Sequence, residues 1–301
     1  MPVFEGIIPA VPSIFNDLEV LKTDEIGNVV EFLKESGVNG VAFNLLGGEF
    51  YKLTANEKIK SLNIGIELAN GNVKVITGIS EPGTLLSREL AKLAEDAGAD
   101  GLIAMPPYYS PFGKLDNESI FRHFGRIAAS VNIPLILQDF DFGIPFVTLK
   151  KLREEFSNIV GIKIEGINKK RTLSRISELR SSLDEEFSIL GGMLGRNLTN
   201  EIEAGSSGTI PGSSLAYFLA RIYSGIKEGD TLTQLKNMEN IAQIIDLELS
   251  DMRNFVYFEK IILEKRRIIE NVNCRNPFSY PRKAKVERLG RLVGNMLSQN
   301  H

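Results

Sequence analysis

The chain has 301 residues, with Lys+Arg 35 against Asp+Glu 38 and a formal charge of −3. That balance gives no electrostatic footprint for nucleic acid or an acidic membrane surface, and no apolar run reaches the roughly 18 residues a membrane span needs. Hydrophobic residues at 43% and charged residues at 24% suit a globular protein with one large domain plus an appendage, or two domains. A single cysteine, Cys274, excludes an intrachain disulfide, and no signal peptide is legible, so a cytoplasmic protein is expected. Two histidines, His123 and His301, are too few for a His-rich metal site and are expected to be structural or superficial.

The first predicted strand is the apolar stretch 6–15, irregular at Pro9 and Pro12. Thr23 or Asp24 caps a helix to about residue 36, with Ile26, Val29, Val30 and Leu33 on its apolar face and Gly37 closing it. A strand over 38–45 runs into Leu46-Gly-Gly-Glu-Phe50. Thr54-Ala-Asn-Glu57 is a capping-box pattern for a helix to about 69. A strand over 73–78 follows, then a helix opened by Pro82 and ended by Gly98, and a strand over 99–105. Pro106-Pro-Tyr-Tyr-Ser-Pro111 is a stiff loop before a helix over 117–130, a strand over 134–138 and a helix over 148–155.

The stretch Asn158-Ile-Val-Gly-Ile-Lys-Ile-Glu-Gly166 is a buried strand with one lysine in its middle. Val160, Ile162 and Ile164 share one parity; Gly161, Lys163 and Glu165 share the other. Desolvation in a strand covered on both faces disfavours the ammonium form, and a neutral amine attacks carbonyl carbon to give a Schiff base. Alternatively Lys163 ends the strand and snorkels to water, or pairs with Glu165. A helix over 170–181, a strand over 187–190, a short helix over 194–204 and a strand over 208–211 follow. From about 217 the strands stop, and 228–270 and 285–298 carry helical patterns.

Eight strand–helix units predict a closed (β/α)8 TIM barrel over residues 1–225, with a C-terminal helical appendage over 226–301. The open doubly wound sheet is the rival, and its GxGxxG fingerprint after the first strand is absent. Chemistry in a barrel sits beyond the C-terminal strand ends. Gly47 and Gly48 stand there, able to bring backbone N–H groups to a carboxylate, or simply to make a tight turn of positive φ. Tyr108 and Tyr109 supply a phenol for a proton relay, or pack on the rim. One of Gln138 and Asp139 must point inward. No serine–histidine–acid set and no metal-ligand spacing is visible, and no cofactor is called for.

These residues resemble the dihydrodipicolinate synthase and N-acetylneuraminate lyase superfamily, Schiff-base aldolases on a (β/α)8 barrel with C-terminal helices. Gly161-Ile-Lys163 is similar to the family's Gly-Ile-Lys, whose lysine forms an imine with pyruvate or a related 2-oxo acid. Gly48-Glu49 with Leu53-Thr54, Pro107-Tyr108-Tyr109 and Gly208-Thr-Ile210 resemble three further family segments. The resemblance implies Lys163, Tyr109, Gln138 and Asp139 as catalytic candidates and Gly47, Gly48, Glu49 and Ile210 as substrate contacts. It also implies a small 2-oxo acid or aldehyde as substrate and a homo-tetramer or dimer. Three departures stand out. Leu45-Leu46-Gly47-Gly48-Glu49 replaces the family's Gly-Thr-Thr-Gly-Glu, and Gln138-Asp139 replaces its Tyr-Asn. No arginine occurs between Arg126 and Arg153, where the synthases carry one for the aldehyde's carboxylate. The expectation is therefore an aldolase acting through Lys163, with Asp139 as replacement base, and not a true dihydrodipicolinate synthase. A barrel that has lost turnover and binds a small carboxylate as sensor or partner is the alternative.

Overall fold

A computed structural model describes residues 1–107, 115–140 and 143–298, and it shows the (β/α)8 barrel. Its first half comprises β1 (Gly6–Ile7), α1 (Thr23–Glu35), β2 (Gly40–Phe43), α2 (Ala55–Ala69), β3 (Lys74–Gly78), α3 (Thr84–Ala97), β4 (Gly101–Ala104) and α4 (Asn117–Ala128). Its second half comprises β5 (Leu135–Phe140), α5 (Phe146–Glu155), β6 (Ile159–Glu165), α6 (Lys169–Ser182), β7 (Ser188–Gly191), α7 (Leu198–Glu203), β8 (Gly208–Thr209) and α8 (Ala216–Glu228). Three more helices follow: α9 (Thr231–Leu249), α10 (Phe255–Lys265) and α11 (Lys283–Ser298).

The strands are parallel and ordered β1-β8-β7-β6-β5-β4-β3-β2. Closure rests on the segment after β1. Ala10 bridges in parallel to both Ala42 and Gly212, and the Val11 N–H reaches the Ala42 carbonyl at 2.8 Å. Pro9 and Pro12 have no N–H to give, so this strand shrinks to two residues and isolated bridges at Ala10 and Phe15 instead of the expected 6–15.

Local signals mostly act as read. Thr54 and Glu57 form both bonds of the capping box, and Gly37 and Gly98 end their helices with positive φ. Helix α1 begins at Thr23 with no side-chain cap, so neither Thr23 nor Asp24 caps it. The predicted helical run 228–270 is interrupted twice. Gly229 adopts φ +73 and Asp230 caps α9, and residues 250–254 break α9 from α10.

Alternation sorts the strand side chains into two cores. Outward residues such as Val41, Leu102, Leu137, Ile162 and Ile189 join the helices in one cluster. Inward residues Ile8, Ala42, Ile76, Ile103, Ile136, Leu190 and Ile210 fill the lumen, with Phe4 among them. Phe4 closes the bottom: a Cβ on Gly101, at the start of β4, would stand 2.6 Å from its ring, and its N–H donates to Ser188 Oγ. The apolar inner layer fills the barrel below its upper, C-terminal end.

The C-terminal helices clasp that upper end. Lys260 on α10 and Glu49, in the loop after β2, are both 0% exposed and paired at 2.7 Å. Lys260 also donates to the Asn273 carbonyl, and Glu49 accepts from Lys52 at 2.9 Å and from the Arg275 N–H at 3.2 Å. Removing one member of a buried pair strands the other's charge. Lys260→Met is therefore expected to cost on the order of 3 kcal/mol, read as a lower urea midpoint, and adding Glu49→Met should recover part of it.

His123 lies buried on α4 with Nδ1 2.9 Å from Thr84 Oγ1, and burial pushes its imidazole down from 6.5 to about 4. Between those values the unfolded chain binds the proton and the folded one does not. The contribution is thus present above pH 6.5 and lost as pH falls toward 4, about 3 kcal/mol in all. His123→Gln should flatten the stability–pH curve across that window in denaturant titrations.

Candidate active site

Register decides which polar side chains meet. On β5 and β6, Gln138 pairs with Lys163 and Phe140 with Glu165, while Asp139 pairs with Ile164. Partners in a parallel sheet point to the same side, so Gln138, Lys163 and Glu165 face the lumen and Asp139 faces the helices. The ammonium of Lys163, 5% exposed, lies 2.8 Å from Glu165 Oε2. The same oxygen accepts from Gln138 Nε2 at 2.7 Å, and Glu165 Oε1 accepts from the Met193 N–H at 3.1 Å. The expected burial of the lysine is present, and so is the Glu165 partner that was the alternative reading.

The loop after β7 is bent to deliver that N–H. Met193, Leu194 and Gly195 are consecutive left-handed residues with φ +47, +56 and +74. Side-chain-bearing residues rarely hold that conformation, and such strain gathers at functional sites. Gly192 has no room for a side chain, because a Cβ there would lie 2.8 Å from Glu165 Oε1.

Above Lys163 is a cavity of about 40 Å³, on the scale of a few water molecules. Its wall is largely apolar: Ala10, Pro12, Leu46, Met193, Ile210 and Phe255 among others. Lys163, Glu165 and Glu259 are its charged members. Gly47 lines it too, with its Cβ position 3.4 Å from the Ala10 methyl group. Gly48 is turned away, packed on the Val11 carbonyl, with its own carbonyl accepting from Ser13 Oγ at 2.7 Å. Neither glycine makes the positive-φ turn; Asn44 and Glu49 do, at φ +55 and +53.

Among the other candidates, Ile210 lies on the cavity wall. Glu49 is taken up in the Lys260 clasp. Asp139 borders a second cavity of about 680 Å³, accepts from the Ile144 N–H at 3.1 Å and stands 4.0 Å from Arg175; burial pushes its carboxyl upward. Tyr109 and the neighbouring Tyr108 lie outside the described residues.

Three buried carboxyls escaped the sequence reading as site residues. Glu165 was seen only as a pairing partner, although its i+2 spacing from Lys163 puts it on the same face. Glu201 on α7 lies behind Gly191, and burial, then the Glu165 charge, push it up to about 8. Glu259 on α10 carried no local signal. Among the described residues, no group of three or more His, Cys, Asp or Glu could hold a metal ion. An amine in contact with a carboxylate, on the wall of a small apolar cavity, has the parts for carbonyl addition and proton transfer.

The model of the dihydrodipicolinate synthetase family matches residues 3–295. A 4-hydroxy-tetrahydrodipicolinate synthase of Methanocaldococcus jannaschii is 34% identical over 193 residues, and the match spans 63% of each chain, less than two thirds of that relative's length. The probable 2-dehydro-3-deoxy-D-pentonate aldolase of Escherichia coli is 31% identical over 255 residues, 81% of each chain. A solved prophage protein of the dihydrodipicolinic acid synthase family from Escherichia coli, in complex with pyruvate, superposes with a TM-score of 0.89 at 26% identity, covering 98% of this chain and 99% of that one. With the family model running through barrel and C-terminal helices alike, the chain belongs to the dihydrodipicolinate synthetase family of carbon–carbon lyases and aldolases.

Proposed function

We propose that the protein is an aldolase that binds a 2-oxo acid as an imine on Lys163. The observation that carries this reading is the buried Lys163–Glu165 contact, 2.8 Å, on the wall of the cavity. A relative solved with pyruvate and a relative named as a pentonate aldolase support the ligand class.

Glu165 takes the proton from the Lys163 ammonium, and the free amine adds to C2 of the oxo acid. A C–N bond forms and the carbonyl oxygen becomes a hydroxyl. That hydroxyl leaves as water with the proton from Glu165, and the nitrogen lone pair closes the cationic imine. Glu165, ionised again, then removes a proton from C3 to give the enamine, the nucleophile of an aldol addition. In this scheme Glu165 has the base role that the sequence assigned to Asp139. Gln138, with no titration near neutral pH, orients Glu165 through its amide. Gly47 leaves the backbone open to the ligand's carboxylate, where the family has hydroxyls. Assembly as a homo-tetramer or dimer is proposed on the family resemblance.

Borohydride reduction with pyruvate is expected to label Lys163 alone, mapped by peptide mass. Label on another lysine, or undiminished label in Lys163→Ala, would sink the assignment. Lys163→Arg should stay unlabelled because its guanidinium does not give up its proton. Glu165→Gln should slow labelling by roughly 10²-fold or more.

Turnover of pyruvate with aspartate semialdehyde should be orders of magnitude below that of a genuine synthase assayed alongside. Gln138 cannot do a tyrosine's acid–base work, which is typically about 10²–10⁴-fold, and no arginine between residues 126 and 153 offers a bidentate carboxylate clamp. Comparable turnover would show that other residues supply both functions.

A further inference from the structure

Among the described residues, the cavity has a charge imbalance: its wall carries one cation, Lys163, and two carboxyls, Glu165 and Glu259. Lys163 is already neutralised by Glu165. A 2-oxo acid brings a further negative charge into this small, buried space, and an uncompensated charge there is costly.

Glu259 is built to deal with it. The side chain comes from α10 and passes over Gly212, where a Cβ would stand 2.2 Å from Oε1. Ser214 holds it twice: the backbone N–H donates to Oε2 and the hydroxyl to Oε1, each at 2.9 Å. Behind it stands Glu248 of α9, 0% exposed. Neither Glu248 oxygen is reached by a fixed donor among the described residues, and its facing partner is the Glu259 carboxyl. Two carboxyls in hydrogen-bond contact need a proton between them. Burial raises both, Glu248 well above the usual carboxylate range. The groups facing this pair are Ser213 and Ser214 after β8 and, across the cavity, Lys163 and Glu165 of β6. The adjacent Lys260 is turned to Glu49.

We propose that Glu259, backed by Glu248, is a ligand-contacting residue of the Lys163 cavity, and that a 2-oxo acid enters together with a proton taken up by this pair. The proton comes from solvent and ends on a carboxyl oxygen of the pair; no other bond changes in this step. A neutral acid then faces the ligand and can donate a hydrogen bond to its carboxylate. The inference rests on the imine reading for its ligand class.

The test is calorimetric titration of the full-length protein with pyruvate in buffers of different ionisation enthalpy. Lys163 is kept, because exchanging its ammonium for a cationic imine with loss of water takes up no net proton. About one proton taken up per pyruvate is expected, with affinity falling by up to tenfold per pH unit above the pair's titration. Glu259→Gln can still accept from the Ser214 N–H and donate to its hydroxyl but cannot titrate, so proton uptake and the pH slope should both vanish. Glu248→Gln, altered away from the cavity wall, should reduce uptake in the same sense. Uptake that persists in Glu259→Gln, or pyruvate binding by the unsubstituted protein with no uptake, overturns the inference and leaves the imine reading standing. Borohydride and pyruvate failing to label the unsubstituted protein, with no pyruvate bound, overturns the imine reading and this inference with it.

Discussion

An ammonium group inside a barrel must have a counter-charge within reach, and here Glu165 provides it from two residues further along the same strand. The surroundings of that pair follow from its needs. Gly192 leaves room for the carboxylate, the left-handed run Met193–Gly195 turns an N–H toward it, and Gln138 donates to it from the neighbouring strand. Each donor fixes the Glu165 carboxyl in place against Lys163. On the proposed imine reading, the same contact would let the proton leave the lysine when a carbonyl carbon arrives.

The C-terminal helices are part of this site and not an annex to it. The clasp of Glu49 by Lys260 fastens α10 to the loop after β2 with a buried ion pair. Fastened there, α10 brings Phe255 and Glu259 to the cavity, and the break at 250–254 brings Met252. Lys260 and Glu259 are neighbours in sequence with opposite tasks: one locks the barrel mouth to the helices, the other adds a carboxyl to the wall. Gly212 and Ser214, just past β8, are fitted to that carboxyl on the barrel side.

On the proposed reading, the site uses carboxyl chemistry where the family's usual residues would use hydroxyls. Leu46 and Gly47 stand where the resemblance puts threonines, and Gln138 where it puts a tyrosine. Among the described residues, a carboxylate beside the lysine and a second acid across the cavity are the carboxyls on the wall. Carboxyls work over a different pH range from phenols, and burial is the lever that moves them toward neutrality.

Much of the architecture was legible because its causes are local. Alternation of apolar periods gave the strand–helix units, Thr54 and Glu57 gave a capping box, and Lys163 stood out as a charge inside a branched apolar strand. Parity alone placed Lys163 and Glu165 on one face, since side chains alternate along any strand. Parity could not choose between Gln138 and Asp139, because either could point inward; the β5–β6 register made that choice by setting Gln138 beside Lys163. It also could not assign Glu49, whose position near the predicted site is local but whose partners Lys260 and Arg275 come from far along the chain. Glu259 was invisible for the same reason. A glutamate in an amphipathic helical pattern reads as a solvated surface residue, and only the packing of α10 over the barrel mouth turns it inward. Secondary structure and face follow from short-range sterics and solvation, which a sequence displays. Which faces meet depends on long-range packing, and the tertiary structure alone decided it.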